Sequence, residues 1–145
     1  MTIRKAVAGD CTALAKLRRQ QLIDEGDTPS DVDFAAYFRS AITDGSFVAW
    51  LAEDSGEICA TSGLCFYHLP PSFTNPSGRV AYVTNMFTQK EYRRQGIATA
   101  LLKLVLDEAQ RQGCTVARLH ASNDGRGLYL KLGFTASDGY MSLRL

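Results

Sequence analysis

A stretch rich in β-branched and aromatic residues, Arg79 to Thr88, runs through a basic turn, Lys90-Glu91-Tyr92-Arg93-Arg94-Gln95-Gly96, into a strongly amphipathic stretch from Ile97 to Gln112 that stops at Gly113. Past the turn the apolar residues take up the 3.6-residue spacing of a helix. That order predicts a strand followed by a helix, and Val116 to Ala121 beyond it predicts another strand. A helix between two strands of one sheet is a crossover, which brings the second strand back parallel to the first with a right-handed connection. Whatever else the chain does, it must build a sheet around this unit.

The rest of the sequence supplies that sheet. Ile3 to Val7 reads as a first strand, and Asp10 is placed to cap a helix beginning near Cys11, whose Leu14, Leu17 and Leu22 share a face and which Gly26 follows. Pro29-Ser30 predicts the start of a second helix, with Phe34, Phe38 and Ile42 recurring every fourth residue and Asp44-Gly45 closing it. Phe47 to Glu53 and Glu57 to Tyr67 predict a hairpin turning at Asp54-Ser55-Gly56. His68 to Gly78, with Pro70, Pro71 and Pro76, is a loop. After the crossover, Asp124 to Leu132 predicts a short helix, and Phe134 with Tyr140 to Leu145 predicts the last strands. The order β-α-α-β-β-β-α-β-α-β-β describes an α/β (α+β) domain with a mixed, mostly antiparallel central sheet flanked by helices.

A length of 145 residues suits one domain spanning 1–145, and 46% hydrophobic with 21% charged residues is enough for a real core without membrane-scale apolar runs. A formal net charge of +1 gives no general attraction for nucleic acid, so any anion site has to be local. Cys11, Cys59, Cys65 and Cys114 form no Cys-x-x-Cys pair, and His68 and His120 are far apart, which argues against zinc or any other metal. Cys59 and Cys65 read as small buried residues. Reduced thiols, and an opening MTIRKAVAGD without the apolar core of a signal peptide, lead to the expectation of a cytoplasmic protein.

The turn before the crossover helix carries chemistry. Backbone N–H groups at a helix start face outward with the positive end of the dipole, and Gly96 and Ala98 leave them open to approach. Arg93 and Arg94 add permanent charge and forked donors suited to a diphosphate, and Thr99 adds a hydroxyl. Helix starts with these features that bind nothing also exist, and on these residues alone the two readings stand level. The Gly-Lys-Ser/Thr of a P-loop and the Gly-x-Gly-x-x-Gly of a dinucleotide fold are both missing.

Tyr92, then Arg93-x-x-Gly96-x-Ala98, then Leu101-Leu102, all following a strand, resemble the coenzyme-A pyrophosphate loop of the GNAT superfamily of N-acetyltransferases. Leu128-Tyr129-Leu130-Lys131-Leu132-Gly133-Phe134 resembles that superfamily's second signature, and the element order agrees along the chain. The resemblance implies an acetyl-CoA-dependent N-acetyltransferase that moves an acetyl group to a primary amine by direct attack in a ternary complex. It implies that the pyrophosphate sits on the amides of Arg94, Gln95, Gly96, Ile97, Ala98 and Thr99, clamped by the Arg93 or Arg94 side chain. Pantetheine would pair with Met86, Phe87 and Thr88 where strands four and five splay apart, and the N–H of Met86 or Phe87 would polarise the thioester carbonyl. Tyr129 would protonate the leaving thiolate, or else only pack beside the cofactor.

Two departures matter. Where the family often has an asparagine that bonds pantetheine, this chain has Ser122, with Asn123 next to it, and either can serve. Strand four has no Asp or Glu, so the general base is unassigned; Glu53, Asp31, Asp33, His68, His120 and a water chain are the candidates. Tyr37, Phe38, Trp50, Tyr67 and Phe73 come from elements that wall the acceptor site in this fold, and they read equally well as core. The expected partner is a small-molecule or peptide amine rather than nucleic acid or membrane, and exposed sheet edges permit a homodimer. The competing reading is a non-catalytic CoA-binding regulatory module of the same fold.

Overall fold

The structure is a computed structural model that describes residues 1–137 and 139–145. Five strands, β1 (Thr2–Lys5), β2 (Phe47–Asp54), β3 (Glu57–His68), β4 (Arg79–Thr88) and β5 (Ala117–Arg118), lie side by side in sequence order. Pairing is antiparallel from β1 to β4 and parallel between β4 and β5, which makes the mixed, mostly antiparallel sheet that the sequence predicts. The helices are α1 (Cys11–Asp24), α2 (Phe34–Asp44), α3 (Ile97–Arg111) and α4 (Arg126–Lys131).

The sheet buries both faces. On one, Leu64, Ala81 and Val83 lie under Leu102, Val105 and Ala109 of α3. On the other, Phe47, Ala49 and Leu51 pack with Cys11 and Leu14 of α1 and Phe38 and Ala41 of α2. Leu101, Leu102 and Val105 of α3 are fully buried, and each large aliphatic side chain so placed contributes about 1.5–3 kcal/mol.

Several expectations need correction. Helix α2 starts at Phe34 rather than at Pro29-Ser30, because Asp33 supplies the cap: its Oδ1 accepts from the Ala36 N–H at 3.0 Å. Asp10 does not cap α1. Its carboxylate accepts both arms of the Arg4 guanidinium at 2.9 Å and the Val7 N–H at 2.8 Å, which ties the end of β1 to the start of α1. The fifth strand is two residues long rather than running from Val116 to Ala121. Phe134 and Tyr140 to Leu145 form no strand; Phe134 packs edge-on to Tyr129 at 5.8 Å, and Tyr140, Met141 and Leu143 are exposed. A strand needs a neighbour to pair with, and so short a β5 offers almost no ladder.

Two irregularities in β4 shape the sheet near the start of α3. The β4–β5 ladder ends at Tyr82 opposite Arg118, yet β4 continues to Thr88, so its second half borders a split. Within that half Gly63 faces Thr84 and Thr61 faces Phe87, which leaves Asn85 and Met86 opposite the single residue Ser62. This is a β-bulge, and Asn85 takes a φ of 56° to make it.

Candidate active site

The split leads to the start of α3. The helix ladder opens with the Ala100 N–H on the Gly96 carbonyl at 3.1 Å, so the N–H groups of Ile97, Ala98 and Thr99 have no partner inside the helix. Gly96 has a φ of 79° and Arg94 a φ of 60°, and two left-handed residues so close together turn successive amides toward one concavity. A Cβ on Gly96 would meet nothing within 4 Å, so the space beside the turn is open there. The Tyr92 hydroxyl donates to Asp54 Oδ2 at 3.1 Å and pins the turn to the β2–β3 hairpin. These residues fit a diphosphate: open amides, the positive end of a long helix and a glycine where a side chain would intrude.

The two arginines part company. Arg93 folds back on β4, with Nε donating to the Thr88 carbonyl at 2.8 Å, Nη2 3.7 Å from Asp24 Oδ2 and the guanidinium 5.8 Å from the centre of the Phe87 ring. It fastens the loop to β4 and α1. Arg94 is exposed and has no ion-pair partner among the described residues.

Strand alternation sorts the β4 amides. The Gln89 N–H bonds the Cys59 carbonyl at 3.0 Å, so the N–H two residues earlier, on Phe87, also turns toward β3. Those of Met86 and Thr88 turn toward the split. Tyr129 is 8% exposed and packs with Val83, Leu102 and the partly buried Met86. Gly125 allows this, since a Cβ there would come within 2.9 Å of the Tyr129 ring. Burial pushes the phenol above its ordinary value, and the nearby negative charge of Glu25 pushes it further. Ser122 is occupied in the turn that leads into α4: its Oγ accepts from the Gly125 N–H at 3.2 Å and its carbonyl from the Arg126 N–H at 3.1 Å. Asn123 is exposed beside it.

Glu25 is the residue that sequence reasoning missed. The Gln21 Nε2 donates both to Glu25 Oε1 and to the Met86 carbonyl, each at 3.1 Å, so one side-chain amide ties the carboxylate to the strand at the split. Arg18 Nη1 extends the chain by donating to Gln21 Oε1 at 3.2 Å. Arg18, Gln21 and Glu25 share one face of α1 by their spacing, but only the tertiary contact to Met86 gives that face a meaning.

Other candidates lie elsewhere. His68 pairs with Arg79 at the far end of β4, Glu53 is held by Arg4 at 3.1 Å, and Asp33 is the cap of α2. Asp31 and His120 are exposed, the latter just past β5. Of the aromatic residues, Trp50 packs on the α3 side, Tyr67 stacks with Tyr82 at 6.2 Å, and Phe73 is fully exposed. Tyr37 and Phe38 do line a cavity of about 280 Å³ beneath α1 and α2, with Phe34, Phe47, Arg18 and Asn85. Among the described residues no cluster of His, Cys, Asp and Glu could hold a metal ion, and no helix is long and apolar enough to cross a membrane.

Comparison with known proteins agrees with this geometry. Residues 12–134 match the Acetyltransferase (GNAT) family. The chain is similar to thialysine N-epsilon-acetyltransferase of Mus musculus, 32% identical over 98 residues that cover 63% of this chain and 55% of that protein. It is also similar to N-acetyltransferase 8B of Rattus norvegicus, 31% identical over 111 residues, 74% of this chain and 48% of that one. The chain therefore spans about half the length of these curated relatives. A crystal structure of a predicted acetyltransferase with acetyl-CoA from Clostridium acetobutylicum is 38% identical with a TM-score of 0.94, over 99% of this chain and 95% of that chain. A GCN5-related N-acetyltransferase from Ralstonia eutropha shares the fold at 24% identity, with a TM-score of 0.88 over 99% of this chain and 97% of that one. With its split sheet, its open helix start and a family match over most of its length, this chain belongs to the Acetyltransferase (GNAT) family.

Proposed function

We propose that the protein is an acetyl-CoA-dependent N-acetyltransferase that moves an acetyl group to a primary amine by direct attack in a ternary complex. The observation that carries the reading is the sequence of features from the open amides at Gly96, along the half of β4 that lacks a partner on its β5 side, to the buried phenol of Tyr129. The loop amides from Arg94 to Thr99 hold the pyrophosphate, Arg94 closes on it, and Arg93 keeps the loop in place. Of the two strand amides considered for the thioester oxygen, the alternation of β4 favours Met86, with Thr88 pairing to pantetheine and Phe87 contributing its side chain. Because the Ser122 hydroxyl is engaged by the Gly125 N–H, the exposed Asn123 is the freer of the pair to reach pantetheine.

The chemistry follows from these positions. The amine nitrogen attacks the carbonyl carbon, the C–S bond breaks, and the Tyr129 phenol gives its proton to the departing sulfur. A phenol raised above its ordinary value is fully protonated near neutral pH and so is ready for that step. Glu25 takes the proton that the attacking nitrogen loses, through water if the distance requires it, which fills the role that a strand-four carboxylate would have had.

The named relatives support a small-molecule amine over a peptide as acceptor. Free cysteines support a cytoplasmic setting, and residues 1–145 act as one catalytic domain. The exposed Tyr140, Met141 and Leu143 near the short β5 favour a homodimer. The test is thiol release against a panel of amines after calorimetry has established acetyl-CoA binding. Release that depends on both substrates supports the reading; tight binding with no turnover of any amine supports the regulatory module instead.

A further inference from the structure

The cavity under α1 and α2 opens beside the bulge of β4, one residue from the Met86 amide. Asn85 lines it while only 3% exposed, and neither its Nδ2 nor its Oδ1 has a hydrogen-bond partner among the described residues. Buried carboxamides without partners are rare, because desolvation is left uncompensated.

Charge says what is missing. Arg18 is the one ionised side chain that lines the cavity, it has no carboxylate partner among the described residues, and just one of its N–H groups is used, on Gln21. The remaining polar wall is neutral: the Tyr37 hydroxyl and the Cys65 thiol lie 3.5 Å apart. Phe34, Phe38 and Phe47 provide apolar walls, and Gly63 makes room for the last, since a Cβ there would come within 2.5 Å of the Phe47 ring. One forked cation with one amide donor suits a planar carboxylate; a phosphate dianion would draw on more positive charge.

We propose that this cavity binds a carboxylate carried by the acceptor, so that the substrate is an amino acid whose reacting amine lies several methylenes from its acid group. The proposal rests on the transferase reading, which places the amine at the split near Glu25. Arg18 and Glu25 are two turns apart on α1, roughly 10 Å at 1.5 Å per residue, which sets the span between acid and amine. The aromatic walls take the methylenes between them.

The experiment compares acceptors that differ only in the acid: 6-aminohexanoate with hexylamine, and lysine with 1,5-diaminopentane, each by kcat/KM. The acid of each pair is expected to be at least tenfold better. Arg18→Gln is expected to bring that ratio near one, and Arg18→Lys to restore part of it. Equal use of both members by the wild-type protein, or an unchanged ratio in Arg18→Gln, overturns the proposal, as does preference for 6-aminohexylphosphonate over the carboxylate. If no amine is turned over, the transferase reading fails by itself. Calorimetry with 6-acetamidohexanoate on the CoA-saturated protein then decides the cavity: binding that is lost in Arg18→Gln sustains it, and no binding ends it.

Discussion

Replacing Gly96 by alanine separates what the loop does for the fold from what it does for the ligand. At a φ of 79° an alanine costs about 1–2 kcal/mol, because its Cβ crowds the following carbonyl. Nothing in the protein lies within 4 Å of that Cβ, so no packing penalty is added. For a chain of this size, that strain lowers the melting temperature by about 3–8 °C. Bound phosphate faces a different situation, since any side chain at Gly96 narrows the approach to the amides of the helix start that begins there. Losing one charge-assisted amide contact costs about 1.5–3 kcal/mol, which weakens acetyl-CoA by roughly 10- to 100-fold. Gly113 is a matched control: it has a φ of 82°, a Cβ there also meets nothing within 4 Å, and it lies at the other end of α3. Calorimetric titration of acetyl-CoA and ligand-free melting are measured on both variants. Gly113→Ala should melt lower yet bind normally, whereas Gly96→Ala should both melt lower and bind more weakly. Acetyl-CoA binding to Gly96→Ala within twofold of the wild type would refute the reasoning.

Tyr129→Phe should lower kcat by about 10²–10⁴ while leaving acetyl-CoA affinity in place; parallel loss of affinity would make Tyr129 a packing residue. Glu25→Gln should lower kcat/KM about 100-fold at neutral pH while leaving acetyl-CoA affinity in place, as expected when the proton acceptor is removed. Below neutrality, stability should follow Asp10 and Glu108. Arg4 holds Asp10 below its ordinary value, and Gln112 and then Lys5 do the same for Glu108. Groups with depressed values contribute stability that is complete above the usual carboxylate range near pH 4 and is lost as the pH falls through their lower values in the fold. Melting curves from pH 7 to pH 2 should show that decline, with a smaller drop in Asp10→Asn; an equal drop in both would remove Asp10 from the account.

What the sequence makes legible is local. The turn at Gly96 is readable because a glycine, two arginines and the start of an amphipathic helix fall within a few residues, and strand β4 has the bounds expected from its composition. Tyr129 is readable because its whole signature is contiguous. The bulge is harder to read: Thr84-Asn85 and Met86-Phe87 break the alternation there, but only the register against β3 shows that two residues face one. The start of α2 is misread because Pro29-Ser30 is a good opening signal, whereas the cap that Asp33 makes with the Ala36 N–H shows only in the fold. The final strands fail for a similar reason: Tyr140 to Leu145 has the composition of a strand, but a strand also requires an edge. Glu25 sits at the end of α1 among other charged residues, and only the bridge through Gln21 to Met86 distinguishes it.

The most direct test of the central claim tracks both products of one reaction. Purified protein with acetyl-CoA and 6-aminohexanoate should release free thiol and form 6-acetamidohexanoate in equal amounts, with no acetylated protein by mass spectrometry at any time. Acetyl-CoA that binds yet is never consumed, or an acetyl group that appears first on the protein, would contradict direct transfer at this site.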